Sequence, residues 1–214
     1  MLADSHLDSL EVREQDQHAP LENDSGSRGG SARNLILFGL LVLLIVLPIR
    51  LFVAKPFIVS GASMFPTFDT WHYLIIDQFS YRIEPPHRGD VVVFRYPQNP
   101  SRFFIKRVIG LPGETVQLSG TAVTILNNEN PQGFTLDEPY ISPEQQKETE
   151  LTMKLGDDEY FVMGDNRKAS ADSRYWGPLE TERIIGRAYI RLFPLNKIDI
   201  LPGAASYLIT SETI

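Results

Sequence analysis

The sequence predicts a mainly β fold: a single N-terminal transmembrane helix followed by an antiparallel β-sheet domain with an inserted loop-rich excursion. Three observations carry this expectation. Residues 35–54, LILFGLLVLLIVLPIRLFVA, are apolar on every side rather than along one stripe. Beyond them, short runs of β-branched and aromatic residues are separated by Gly, Pro and Asn. No stretch outside the first run repeats apolar residues at helical spacing.

The elements follow in chain order. Residues 1–33 are polar and aperiodic, carry seven acidic residues against Arg13, Arg28 and Arg33, and end in SGSRGGSAR; they read as a disordered tail. Residues 34–54 form the anchor, since the twenty residues 35–54 at about 1.5 Å each give roughly 30 Å, the thickness of a bilayer core. A buried core helix would be striped, and a cleavable leader would not follow so long a polar tail, so an uncleaved anchor is expected. Arg50 lies close enough to the far end to snorkel, and Pro48 can kink the last turns. With Arg28 and Arg33 on one flank and Arg50 and Lys55 on the other, charge alone does not set the orientation.

Residues 55–214 amount to one domain. Its strand signals are WHYLII (71–76), DVVVFRY (90–96), RFFIKRVIG (102–110), ETVQL (114–118), TAVTIL (121–126), EYFVM (159–163) and IIGRAYIRLF (184–193). Residues 127–158 are turn-rich and polar, an excursion from the main sheet. There is no internal repeat.

Composition removes several function classes. The net charge is −7 with no long Lys/Arg cluster, which argues against a nucleic-acid partner. The chain has no cysteine, so disulfides and zinc–thiolate sites are excluded. Four histidines without an HExxH pattern give a metalloprotease no footing, and neither metal nor organic cofactor is implied. The oligomeric state is not encoded in any recognisable pattern.

One serine stands out by its setting. In VSGASMFPTF (59–68), Gly61 lets the backbone bend two residues before Ser63, and Pro66 stiffens the exit. Such a bend can raise a hydroxyl with its own amide pointing the same way, as an acyl-transfer nucleophile requires. The hydroxyl needs a base. His72 and His87 are the histidines of the folded domain, and each reads more simply as a packed or solvated ring. A G-x-S-x-G elbow fails at Phe65, and a helical S-x-x-K arrangement fails at Pro66.

A lysine fits better. Along RFFIKRVIGLPGE (102–114), alternation puts Lys106 on one face with Phe104 and Val108, and Arg107 on the other with Ile105 and Ile109. Apolar neighbours at both i±2 positions disfavour the charged amine and lower its pKa. Bringing it from about 10.4 to near 8 costs roughly 3 kcal/mol. A third segment, GDNRKASADSRYWGP (164–178), gathers Asp165, Arg167, Asp172 and Arg174 among small residues. If extended, it aligns Ser170, Asp172 and Arg174 on one face; Asp172 and Arg174 can then pair, and Ser170 can bond a neighbouring amine.

These segments, in this order behind one anchor, resemble type I signal peptidase, a serine–lysine protease family. The resemblance rests on SGASMFPT, GDVVVFRYP, KRVIGLPGE, LDEPYI (136–141) and GDNRKASADSRYWGP, and spans roughly residues 57–190. It implies a membrane-bound endopeptidase that removes signal peptides from preproteins. It assigns Ser63 as nucleophile, Lys106 as neutral general base and Ser170 as the group orienting Lys106. It pairs Asp165 with Arg107 and Asp172 with Arg174, and puts Val59, Gly61, Met64 and Ile105 at the substrate. Some members carry a serine at the position of Gly61 that completes the oxyanion hole, a donor this chain lacks. The resemblance also implies a lipid bilayer as partner, a cytoplasmic N-terminus, and a catalytic domain on the export side of a plasma or internal (thylakoid-type) membrane. Two readings compete: a peptidase of this fold dedicated to a few substrates, and a catalytically silent β scaffold.

Overall fold

The computed structural model describes residues 28–48 and 54–207. They fall into two compact units, Met1–Leu44 and Ile45–Ile214, described separately. In the first, helix α1 (Arg28–Pro48) starts six residues before the predicted anchor, so the end of the predicted polar tail is helical. Ala32 and Arg33 are good helix formers, and an apolar run already helical propagates backwards at little cost. The large apolar side chains from Leu35 to Leu47 are exposed along it. Among the described residues no helix is long and apolar enough to cross a membrane. The rest of the predicted tail, and residues 49–53 of the predicted anchor, lie outside the described residues.

The second unit is built from two antiparallel sheets. The larger runs in the order β1 (Ala54–Ile58), β2 (Tyr73–Asp77), β11 (Ile184–Phe193), β3 (Val91–Tyr96), β4 (Asn99–Gly110), β9 (Glu159–Met163), β10 (Leu179–Glu180), with β12 (Asp199–Ile200) on β11. The smaller runs β7 (Phe134–Thr135), β6 (Ala122–Leu126), β5 (Thr115–Ser119), β8 (Leu151–Lys154). Thus part of the predicted excursion is a sheet in its own right, since β8 pairs with β5 from Thr115↔Lys154 to Leu118↔Leu151. Strand β2 starts two residues later than expected. Trp71 has φ +73, a left-handed backbone that no strand accommodates.

The middle of the large sheet is apolar on both faces. In β3, Val91 and Val93 enter one cluster with Val59, Met64, Phe68, Leu74 and Ile76, while Val92 and Phe94 enter another with Val108, Tyr160 and Val162. A third cluster, under the small sheet, contains Ile109, Val116, Ile125 and Phe161. Strand β4 therefore touches all three, through Ile105, Phe104 with Val108, and Ile109 in turn. That makes it the stiffest place on which to mount a side chain. Phe161 is fully buried in the third cluster. Phe161→Ala is expected to lower the unfolding free energy by about 3–5 kcal/mol, read from urea denaturation of the full chain in detergent.

Candidate active site

Lys106 lies opposite Val92 on β3, beside Phe104 and Val108 on its own face, and is 3% exposed. Its other flank is where the sheet opens. Strand β9 pairs Val162 with Val108 and Met163 with Arg107, then ends. The chain leaves as Gly164 next to Lys106, and the edge of β4 from Lys106 back to Arg102 has no partner on that side among the described residues.

The Ser63 segment fills that place. Gly61 has φ +96, which only glycine adopts without strain, and its N–H donates to Thr70 Oγ1 at 3.2 Å. The Ser63 carbonyl accepts from the Asn166 N–H at 3.1 Å. A Cβ on Gly164 would sit 2.4 Å from that carbonyl and 2.3 Å from Ser170 Oγ, so the close approach requires glycine. As a result, Lys106 Nζ stands 2.7 Å from Ser63 Oγ and 2.8 Å from the Ile105 carbonyl. Burial lowers the Lys106 pKa from 10.5 to about 8, against the opposing pull of the Asp172 and Asp165 carboxylates.

Both carboxylates carry their own counter-ion. Arg107 grips Asp165 through Nε at 2.9 Å and Nη2 at 2.7 Å, and Thr67 Oγ1 adds a bond at 2.5 Å. Arg174 grips Asp172 in the same two-pronged way, at 2.7 and 2.8 Å. Asp172 Oδ2 also accepts the Gly164 N–H at 3.0 Å, and Oδ1 caps the short helix α2 (Ser173–Trp176) by accepting the Arg174 N–H at 3.3 Å. The segment is therefore a turn followed by a capped helix, so the condition of an extended chain is not met, although Asp172 and Arg174 still pair. Local side-chain bonds to backbone amides outcompete strand pairing there.

Two expectations need correction. Ser170 is buried in the site, but its Oγ has no hydrogen-bond partner, so the expected bond to Lys106 is not formed. The amine's bonds run to Ser63 and Ile105 instead. Met64 does not line the substrate groove; at 1% exposure it packs against the core and pins the serine turn from behind. Val59, Gly61 and Ile105 line a cavity of about 500 Å³ beside Ser63 that also takes in Phe57, Phe103 and Ala169. The histidines play no part in the dyad. His72 Nδ1 accepts the Asp69 N–H at 3.3 Å, with its pKa lowered mainly by burial, and His87 sits on the surface 3.1 Å from Glu84.

Sequence reasoning missed a second network. Arg167 donates to Glu138 and, through Nε, to the Gly164 carbonyl at 3.2 Å. Tyr140 lays its ring 3.8 Å from the Arg107 guanidinium carbon. Glu138 and Tyr140 belong to the LDEPYI stretch, whose paired acid and aromatic were the available signal.

This constellation can run acyl transfer: a hydroxyl, a dehydrated amine within proton-transfer distance, and a groove at the nucleophile. A family model described as signal peptidase, peptidase S26, matches residues 32–193. A signal peptidase I from Leptolyngbya laminosa is 42% identical over 176 residues, covering 78% of this chain and 82% of that one. A probable signal peptidase I-2 from Synechocystis sp. is 38% identical over 167 residues, covering 76% and 73%. A solved signal peptidase I from Enterococcus faecalis V583 aligns with 49% of this chain and 97% of its own, at 31% identity and a TM-score of 0.41.

The lowered lysine pKa has a stability consequence. Between pH 8 and 10.5 the unfolded chain holds a proton that the folded chain has released, so stability rises with pH across that window and is flat below it. At pH 7 the buried amine therefore costs the fold roughly 3 kcal/mol. Lys106→Met is expected to raise the unfolding free energy at pH 7 by about 1–3 kcal/mol and to remove the slope above pH 8, measured by urea denaturation at several pH values.

Proposed function

This chain belongs to the signal peptidase family, peptidase S26, and we propose that Ser63 is its nucleophile and Lys106, as the free amine, its general base. It is a serine endopeptidase that cleaves signal peptides from preproteins. The observation that carries the residue assignment is the 2.7 Å separation between a buried lysine nitrogen and the Ser63 hydroxyl.

In the reactive form Nζ has lost its proton, and the Ser63 hydroxyl donates to it. As Oγ attacks the scissile carbonyl, the hydroxyl proton passes to Nζ. The negative charge that develops on the carbonyl oxygen is met by the Ser63 N–H, which has no other partner among the described residues. Collapse expels the amino terminus of the mature protein, which takes the proton from Nζ. Water then attacks the acyl-enzyme, giving a proton to the regenerated amine; as the acyl–oxygen bond breaks, Nζ returns that proton to Ser63 Oγ, and the signal peptide leaves with a carboxylate.

The substrate binds as an added strand. The open edge of β4 ahead of Lys106 and the β1 edge together wall the groove, offering backbone groups to a peptide and small side-chain pockets at Val59 and Ile105. Residues 34–54 anchor the chain in the bilayer. What supports this is the apolar run 35–54, of about the length a bilayer core requires and with Arg50 near its far end as its one charged residue, and the exposure of its side chains from Leu35 to Leu47 along α1. Tethering puts enzyme and signal peptide in the same two-dimensional phase, which raises their effective concentration. The N-terminus then lies in the cytoplasm and the catalytic domain on the export side, where cleavage sites emerge.

Ser63→Ala and Lys106→Ala are each expected to abolish cleavage of a preprotein in detergent, without loss of folding. Lys106→Arg does not rescue, because a guanidinium stays protonated at any workable pH. The wild-type rate should fall tenfold per pH unit below about 8, as the neutral amine is titrated away. A panel of unrelated preproteins, all cleaved, is the expected result. Activity in Lys106→Ala with loss in His72→Ala or His87→Ala would replace the base, and a wild-type chain that cleaves nothing would make the domain a scaffold.

A further inference from the structure

The polar network beneath the dyad does not end in the loop that carries Ser170. It continues into Leu201–Tyr207, the last described residues, which cross back over Arg107. Arg107 Nη1 donates to the Gly89 carbonyl at 3.0 Å and also to the Gly203 carbonyl. The crossing is tight: a Cβ on Gly89, whose φ is +93, would lie 1.8 Å from the Ala205 carbonyl oxygen. Farther along, the Tyr207 ring packs on the cluster under the small sheet, and its hydroxyl meets that of Tyr140 at 2.6 Å. Tyr140 spends its one hydroxyl hydrogen on Glu138, at 2.6 Å, so Tyr207 is the donor to Tyr140.

Two routes thus lead from this strap to the same corner. One runs from the Gly203 carbonyl through Arg107 to Asp165. The other runs from Tyr207 through Tyr140, Glu138 and Arg167 to the Gly164 carbonyl. Asp165 sits between Gly164, which abuts Ser63 and Ser170, and Asn166, which holds the Ser63 carbonyl. We propose that the C-terminal strap, through the Gly203 carbonyl and the Tyr207 hydroxyl, is a positioning element for the Ser63–Lys106 dyad. The proposal rests on the reading that these two residues carry out the cleavage.

The physical reason is satisfaction of a fully buried guanidinium. Without the Gly203 carbonyl, one Nη1 hydrogen loses its acceptor and must turn or admit water. Either response shifts Asp165, one residue from both groups that set Ser63. A donor–acceptor pair at 2.7 Å tolerates little such movement before proton transfer slows. No strap residue lines the substrate groove, so the effect falls on turnover rather than on binding.

The test compares full-length Tyr207→Phe with wild type, and a chain ending at Pro202 with one ending at Tyr207, in detergent with a preprotein substrate. Tyr207→Phe is expected to lower kcat by about three- to tenfold with KM within twofold, and the Pro202 chain by more than about tenfold. The acid limb of the kcat profile should move to higher pH in both, because water reaching the corner relieves the dehydration of Lys106. If the Pro202 chain fails to fold, Tyr207→Phe decides alone. A folded Tyr207→Phe protein with wild-type kcat and an unmoved acid limb, or with a change in KM only, would overturn the proposal. Ser63→Ala runs alongside: dead beside an unaffected Tyr207→Phe, it leaves the dyad standing and removes the strap; alive, it removes both.

Discussion

An amine that is to accept a proton near neutral pH has to be kept from water, and the placement of Lys106 shows how a sheet can do that. The residue is set where β4 still has β3 on one side but has lost β9 on the other. The residue is 3% exposed, with Phe104 and Val108 two positions to either side on the strand and Val92 opposite, while the nitrogen reaches Ser63. One residue further along, a lysine would be sealed between two strands with no room for a substrate. Several residues earlier it would stand on the exposed half of the strand, where its pKa would be ordinary.

Burial alone would be undone if the nearby acids acted unopposed. Asp165 and Asp172 both pull the lysine towards its charged form. Each is held by a two-pronged arginine, so that the field reaching Lys106 is that of a pair rather than of a bare carboxylate. Buried ion pairs contribute little net stability, since dehydration offsets most of the attraction. Their use here is geometric. They fix the Gly164–Asn166 corner, and that corner sets the serine. The bonds that shape the site are thus made mostly by residues that never touch substrate.

Much of this was legible in the sequence, for physical reasons that can be named. The run VVVF in β3 is apolar at successive positions because both faces of the sheet are covered. The alternation in β4 put Lys106 among apolar neighbours on its strand, and the residue is buried in the structure. Ser63 was visible through Gly61 and Pro66, which only a sharp bend explains. What escaped depended on contacts between distant segments. Nothing near Met64 says that the turn rotates it into the core, and the resemblance put it at the groove instead. Strand β8, LTMK, has a weak pattern and exists because β5 pairs with it. The roles of Glu138, Tyr140 and Tyr207 appear only when three remote stretches of chain meet around Arg107. Resemblance supplied the Arg107–Asp165 pair, which spacing could not have fixed, whereas Asp172 and Arg174 lie close enough in sequence to suggest their own pairing.

The charge state of one nitrogen is the most direct check on all of this. Lysine side chains labelled with nitrogen-15 can be titrated by NMR in the intact chain, with Lys106→Met assigning the resonance by its disappearance. A lysine with an inflection near 8, absent from that variant, is the expected result. A Lys106 signal that titrates near 10.5 would contradict it, since an amine so fully charged at neutral pH cannot take the proton from Ser63.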